Sequence, residues 1–222
     1  MNHKWDFSSI YLYRNVLWDG FLGTLQLAII AVACAMLVGL VVALARISRP
    51  LALRIPAMLF INFFRNIPFL VQLFWFYYAI PVLTGLQANP FMAALYALTL
   101  YGGAYFAEIY RAGIQAVDQG QWEGARAIGL SLGKTLRYVI LPQAFRRVIP
   151  PLTTQVIELI KLTTVASTIA YAELLYSAKL VADQDLRPIE AYTTVAFILI
   201  TMMLVISFAA ARLERRLARS TH

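Results

Sequence analysis

Glu158 and Lys161 stand three positions apart within a mainly apolar stretch of about residues 150–175. On a helix that spacing makes them neighbours on one face. An ionisable group near the middle of a bilayer costs about 2.5–3.5 kcal/mol on insertion scales, so it faces a cavity or a partner. Two uses follow. Either the pair neutralises itself inside a subunit interface, or it receives a zwitterion, with Lys161 on a carboxylate and Glu158 on an ammonium or on Lys161 itself. Thr163, Thr164 and Ser167 bring hydroxyls to the same neighbourhood, and Thr153, Thr154 and Gln155 lie one to two turns earlier. Hydroxyls in membrane helices also bond to the backbone or across helices, so each has a structural reading beside the ligand one.

Other reactive groups are sparse. Glu108 and Arg111 share the i, i+3 relation, which favours a local ion pair. Arg65 either snorkels to the membrane interface or supports the chain around Pro68. The two histidines are His3 and His222, at the ends of the chain, and Cys34 is the single cysteine. Those counts exclude an internal disulfide, a His-based zinc site and a His-dependent nucleophilic triad. Cys34 reads as a small packing residue.

The elements that must carry these residues are membrane helices. Of 222 residues, 61% are hydrophobic and 14% charged, and the mean hydropathy is +0.69. A soluble domain carries about a quarter charged residues. The net charge of +8 therefore reads as basic loops beside a bilayer rather than as a nucleic-acid surface. A crossing needs roughly 20 apolar residues. Five stretches qualify, at about 20–45, 55–80, 91–109, 150–175 and 191–211, with Pro81, Gly85, Asn89 and Pro90 between the second and third. The aromatic run 74–78 reads as an interfacial belt. The first apolar run is too long for a signal-peptide core. The expectation is an all-α polytopic membrane protein with residues 1–19 outside, a membrane domain over 20–211 and a basic tail over 212–222.

Basic residues orient it. Segments 46–54, 111–147 and 212–222 hold 13 of the 19 Lys and Arg residues, against Lys4, Arg14, Lys179 and Arg187 on the opposite side. Positive charge stays cytoplasmic. The N-terminus is expected outside and the C-terminus inside, which an odd number of spans requires.

The loop of about 115–147 between spans three and four is too long for a simple connector. Trp122, Ala125 and Ile128 fall on one helical face. Gly129 is a natural stop, Ser131 can cap a second short helix, and Pro142 discourages its continuation. This predicts a cytoplasmic helix–turn–helix knob, which either rests on lipid headgroups or seats in another protein. Glu123, Gly124 and Ala125, then Ala127, Gly129 and, further on, Leu141-Pro142 resemble the EAA signature of ABC-importer membrane subunits. Three further segments resemble polar amino-acid permeases of the histidine, glutamate and glutamine type: Phe64-Arg65-Asn66-Ile67-Pro68-Phe69-Leu70-Val71-Gln72, the run from Ala104 to Ile114, and Val165-Ala166-Ser167-Thr168-Ile169. Two departures stand out. Gly124 replaces a usual alanine and loosens the helix by up to about 1 kcal/mol. Leu162 stands where many relatives carry Asp or Asn.

The resemblance implies a type I ABC-importer permease in a bacterial cytoplasmic membrane, paired with an identical or homologous permease. It also implies two cytoplasmic ATPases that bind ATP and Mg, an extracytoplasmic solute-binding protein, and no cofactor on this chain. Trp122, Glu123, Gly124, Ala125, Ala127, Gly129, Leu141 and Pro142 would couple to the ATPases. The substrate class would be polar L-amino acids, with glutamate, aspartate or glutamine favoured. The chain has no Gly-x-x-x-x-Gly-Lys-Ser/Thr phosphate loop, so it is expected to be a transporter subunit and no enzyme. The rival is an ion-coupled carrier or channel, which commonly shows inverted repeats and more spans.

Overall fold

The computed structural model describes residues 4–85 and 87–219, without side chains at 213, 214 and 216–219. His3, His222 and most side chains of the basic tail therefore lie outside the described structure. Within them every regular element is helical. The order is α1 (Ser8–Leu12), α2 (Arg14–Ile47), α3 (Leu51–Asn66), α4 (Phe69–Phe74), α5 (Ile80–Thr84), α6 (Pro90–Gln115) and α7 (Gln119–Ala127). It continues with α8 (Leu132–Thr135), α9 (Leu141–Leu162), α10 (Leu174–Asp185) and α11 (Pro188–Arg219).

Arg14–Ile47 and Pro188–Arg212 are each long and apolar enough to cross a membrane, and α3 with the segment Phe69–Thr84 qualifies as one bent pair. Many of their large apolar residues face outward, as Ile29, Leu37, Val41, Phe197, Ile200 and Leu204 do. That pattern suits hydrocarbon as the surrounding solvent, since an intrahelical ladder satisfies every backbone group there.

Two expected spans are not single helices. The stretch 55–80 bends by 105° between α3 and Phe69. Pro68 takes an extended ψ of 135°, and a residue before proline is driven from the α region, so the helix ends at Asn66. The Gln72 amide then donates to the Ile67 carbonyl at 2.9 Å, tying the corner. The stretch 150–175 is also broken. α9 gives way to a 3-10 segment, Thr163–Ile169, which ends at Ala170 with φ +58°.

Two wide π turns, Trp75–Ala79 and Leu136–Ile140, each finish two residues before a proline, Pro81 and Pro142. In each, the residue after the turn donates to a carbonyl five back, Ile80 to Trp75 and Leu141 to Leu136. Proline has no N–H and its ring crowds the carbonyl four residues before it. One extra residue in the turn moves that carbonyl aside. Pro142 therefore does not stop the knob's second helix, and the chain stays helical from Leu132 to Leu162 before the 3-10 segment.

Contacts define two compact units. In the first (Met1–Ala33, Ile67–Thr99, Ile157–Ser207), Leu17, Leu174, Val181 and Val195 form a buried cluster. α2 presses on the segment after the 3-10 turn. A β-carbon at Gly20 would lie 2.2 Å from Ser177 Oγ, and one at Gly23 would lie 2.4 Å from the Ala172 carbonyl. Thr24, fully buried, accepts from the Leu174 N–H at 3.0 Å and donates to the Gly20 carbonyl at 3.1 Å. The Tyr171 hydroxyl donates to the Gly23 carbonyl at 3.1 Å. The N-terminal segment is held by charge, with Arg187 3.2 Å from Asp6 and 3.4 Å from Glu190.

In the second unit (Cys34–Asn66, Leu100–Val156, Phe208–His222), Ala43, Ile61 and Ala107 make one buried cluster. Val117, Ile140 and Ala144 make another, under the knob. Arg65 stacks over Tyr105 with its guanidinium carbon 5.1 Å from the ring centroid. Arg111 donates to both carboxylate oxygens of Glu108, so both residues take their structural reading.

Candidate functional site

α7 is a nine-residue helix with a defined start and stop. Asp118 caps it, its carboxylate accepting from the Gly120 N–H at 2.7 Å. At the other end Gly129 takes φ +77°. The Leu130 N–H reaches the Ala125 carbonyl at 3.0 Å and the Gly129 N–H reaches Arg126 at 3.0 Å. That pair of bonds closes a helix through a left-handed residue, which glycine adopts without strain.

The face of α7 that holds it in place is narrow. Ala125 is buried, Trp122 packs on the cluster of Val117, Ile140 and Ala144, and the Gln143 amide donates to Gln121 at 3.0 Å. Ile128 does not share that face. It lies one residue beyond the end of the helix, with φ −90° and ψ 12°, and is 76% exposed. Ser131 occupies the N-cap position of α8, but its side chain makes no capping bond; the Thr135 N–H closes the turn on the Ser131 carbonyl at 2.8 Å.

The opposite face is open. Glu123, Gly124 and Ala127 are exposed. Among the described residues Glu123 accepts from the Gln119 amide on its own helix, at 3.0 Å. A β-carbon at Gly124 would meet nothing within 4 Å. Leu141 and Pro142 are also exposed, at the first turn of α9. Trp122 and Ala125 thus anchor the element, while Glu123, Gly124 and Ala127 offer a surface free of large side chains.

The second candidate group lies at the end of α9. Lys161 Nζ is 3.2 Å from Glu158 Oε2, and the two side chains are 56% and 50% exposed. The pair is made, but within this chain it is not buried. Thr163, Thr164, Ser167 and Thr168 each turn their hydroxyl back to the carbonyl three residues earlier, at 2.7 Å. In 3-10 geometry residues i and i+3 eclipse, which brings that carbonyl within reach. Thr163 is fully buried. Its hydroxyl, like those of Thr164 and Ser167, keeps acceptor capacity but has committed its proton. Thr153 and Thr154 likewise bond to carbonyls four residues back.

Periodicity did not single out Glu173. It is fully buried and caps α10, accepting from the Leu175 and Tyr176 N–H groups at 3.0 and 2.7 Å. A lone acid just before an apolar helix was the available signal, since carboxylates favour helix N-termini. Thr24 and Tyr171 were missed because their partners lie about 150 positions away.

The family described as "Binding-protein-dependent transport system inner membrane component" matches residues 35–219. This chain belongs to that family. A probable glutamine ABC transporter permease of Bacillus subtilis is 38% identical, over 91% of this chain and 93% of its own length. The glutamine transport system permease of Escherichia coli is 35% identical, over 96% and 98%. A crystal structure of an amino acid ABC transporter superposes with a TM-score of 0.92 at 36% identity, covering 96% of this chain and all of that one. A methionine ABC transporter, at 23% identity and TM-score 0.77, shares the fold. As a permease of this family the chain is a transporter subunit, and ATP hydrolysis resides on a separate subunit. These relatives give no support to an ion-coupled carrier.

Proposed function

We propose that this chain is the permease half-site of an ATP-driven importer for glutamine or a closely related polar L-amino acid. It crosses a bacterial cytoplasmic membrane five times, with residues 1–19 outside and residues 212–222 inside. Residues 20–211 carry the pathway and residues 115–147 the coupling knob. It pairs with an identical or homologous permease, sits on two ATPases that carry ATP and Mg, and receives substrate from an external binding protein.

One observation supports this reading above the others. α7 is fixed from behind by Trp122 and Ala125, yet keeps Glu123, Gly124 and Ala127 exposed, with open space around Gly124. An exposed glycine inside a helix costs up to about 1 kcal/mol, and close approach of another protein accounts for it. Movement of the ATPases would then shift α7 as a rigid piece. Because the buried cluster links it to Ile140 and Ala144, the start of α9 would move with it.

For the substrate site we assign Lys161 to the carboxylate and Glu158 to the ammonium or to Lys161, with Thr163, Thr164 and Ser167 as acceptors. The exposure of the Glu158 and Lys161 side chains in the single chain is what a charged pair facing a shared pathway requires, while Thr163 is buried.

The test is reconstitution with both ATPases and the binding protein. Glu123→Arg and Gly129→Val should abolish uptake while ATP hydrolysis continues, and unchanged uptake in both would defeat the coupling role. Lys161→Ala should reduce uptake at least about tenfold, the loss of one charge-assisted bond. Normal transport by that variant would remove the carboxylate role and leave the pair as a structural one.

A further inference from the structure

Behind α7, on the side away from the exposed glycine, the second unit holds an open cavity of about 700 Å3. Arg49, from the link between α2 and α3, and Arg126, from α7, both line it, and among the described residues no carboxylate does. Arg126 spends one N–H on the Trp122 carbonyl at 3.3 Å, which leaves the rest of its guanidinium fork available. Gln115 accepts from Arg111 through its amide oxygen, so its amide nitrogen remains a donor. Thr135, at the cavity wall, is 2% exposed, and its hydroxyl is buried without a hydrogen-bond partner.

A buried unpaired hydroxyl costs about 1–3 kcal/mol, and Thr135 lines the same cavity as the two arginines, so an anion drawn to them would also give it a partner. The chemistry that suits two guanidinium forks is an oxyanion such as phosphate, whose separate oxygens accept in pairs, which a spherical halide does not offer. Paired arginines suit phosphate through their planar forks. The volume lies within the range of small-molecule sites, and Trp122 supplies an apolar wall for whatever carries the phosphate. The run from Gly129 to Thr135 contains Gly133-Lys134-Thr135 but is one residue too short for a nucleotide phosphate loop. α8 has a single turn, so side chains rather than a backbone cradle do the holding.

We propose that this cavity binds one phosphate group, held by Arg49, Arg126 and the Thr135 hydroxyl, and that its occupancy fixes the back of the coupling helix. With the orientation proposed above, the group comes from an anionic phospholipid of the inner leaflet, a source that basic pockets on the cytoplasmic side recruit, or from a soluble phosphate ester. The proposal does not depend on the transported substrate, and its test reads binding rather than uptake.

The full-length chain is purified in neutral detergent. It is titrated in one arm with phosphatidylglycerol, followed by native mass spectrometry, and in the other with glycerol phosphate, followed by thermal shift. Saturable binding should appear in at least one arm. Arg49→Gln with Arg126→Gln should weaken it by about tenfold or more, Thr135→Val should weaken it several-fold, and Arg49→Lys with Arg126→Lys should retain part of it. Retention of phosphatidylglycerol alone assigns the lipid source, and saturation by glycerol phosphate assigns the soluble one. Arg137→Gln is the control, since Arg137 is exposed and stacks on Tyr138. An equal loss in that control reduces the effect to general surface charge and overturns the proposal, as does binding unchanged in the double glutamine variant. Absence of binding in both arms, with ATPase attachment lost in the double variant, would give the cavity to an acidic side chain of that subunit and also overturn it.

Discussion

Gly20 and Gly23 in α2 have no room for a β-carbon, whereas Gly124 in α7 has nothing within 4 Å. The first pair is explained inside the chain, because α2 can approach Ala172 and Ser177 only without side chains there. Gly124 has no internal explanation, and α7 is weaker for it. A glycine whose reason lies within the fold marks packing, and one whose reason lies outside it marks a docking surface. The same division applies to charge. Asp6 and Glu190 both pair with Arg187, while Glu123 bonds, among the described residues, to Gln119 of its own helix.

The sharpest way to break this contrast is to fill both kinds of site. Gly23→Leu places a large side chain against the Ala172 backbone and should destabilise by more than about 3 kcal/mol, read as loss of folded protein in detergent. Thr24→Val keeps the shape but strands the buried Leu174 N–H, at about 1–3 kcal/mol, measurable as a lower unfolding midpoint. Gly129→Ala forces a β-carbon into the left-handed region and should cost about 1–2 kcal/mol, with α7 losing amide-exchange protection before the bundle does. Gly124→Ala should act in the opposite sense, stabilising α7 by up to about 1 kcal/mol while slowing uptake in the assembled transporter. If it stabilises and leaves uptake intact, Gly124 belongs to neither class.

The smallest effect concerns pH. The Ser8 backbone N–H, then the Ser8 hydroxyl and Arg187, hold the Asp6 carboxyl below its usual range. A lowered folded value means the contribution is present above the unfolded value and is lost as pH falls through the folded one. Asp6→Asn should therefore lower the unfolding midpoint slightly near neutrality, and the difference should fade as pH falls through the lowered folded value.

The helical class, the knob and its stop at Gly129 were legible because each rests on local signals: apolar run length, a three-residue period and a glycine. Comparable turns at Ala170 and Leu186, with φ of +58° and +54°, were not. Neither residue favours the left-handed region; the Tyr171 bond to Gly23 secures the first, and backbone bonds from Leu186 and Arg187 to the Ala182 carbonyl close the helix at the second. The corner at Pro68 was half legible: the proline was visible, but an apolar run of sufficient length outweighed it. Ile128 was placed on the wrong face because its period was counted one residue past the end of the helix. For the pair Glu158 and Lys161, spacing predicted the contact but not that both side chains would remain open to their surroundings.

The two widened turns ahead of Pro81 and Pro142 carry a consequence for any engineering of this protein. Each inserts one residue into the winding, so a helical wheel drawn straight through 75–79 or 136–140 is out of phase by about 100° beyond it. Deleting a single residue there would restore regular coiling but swing every downstream side chain to a new bearing. Cysteine cross-linking along these helices should be planned with the wheel restarted after each proline.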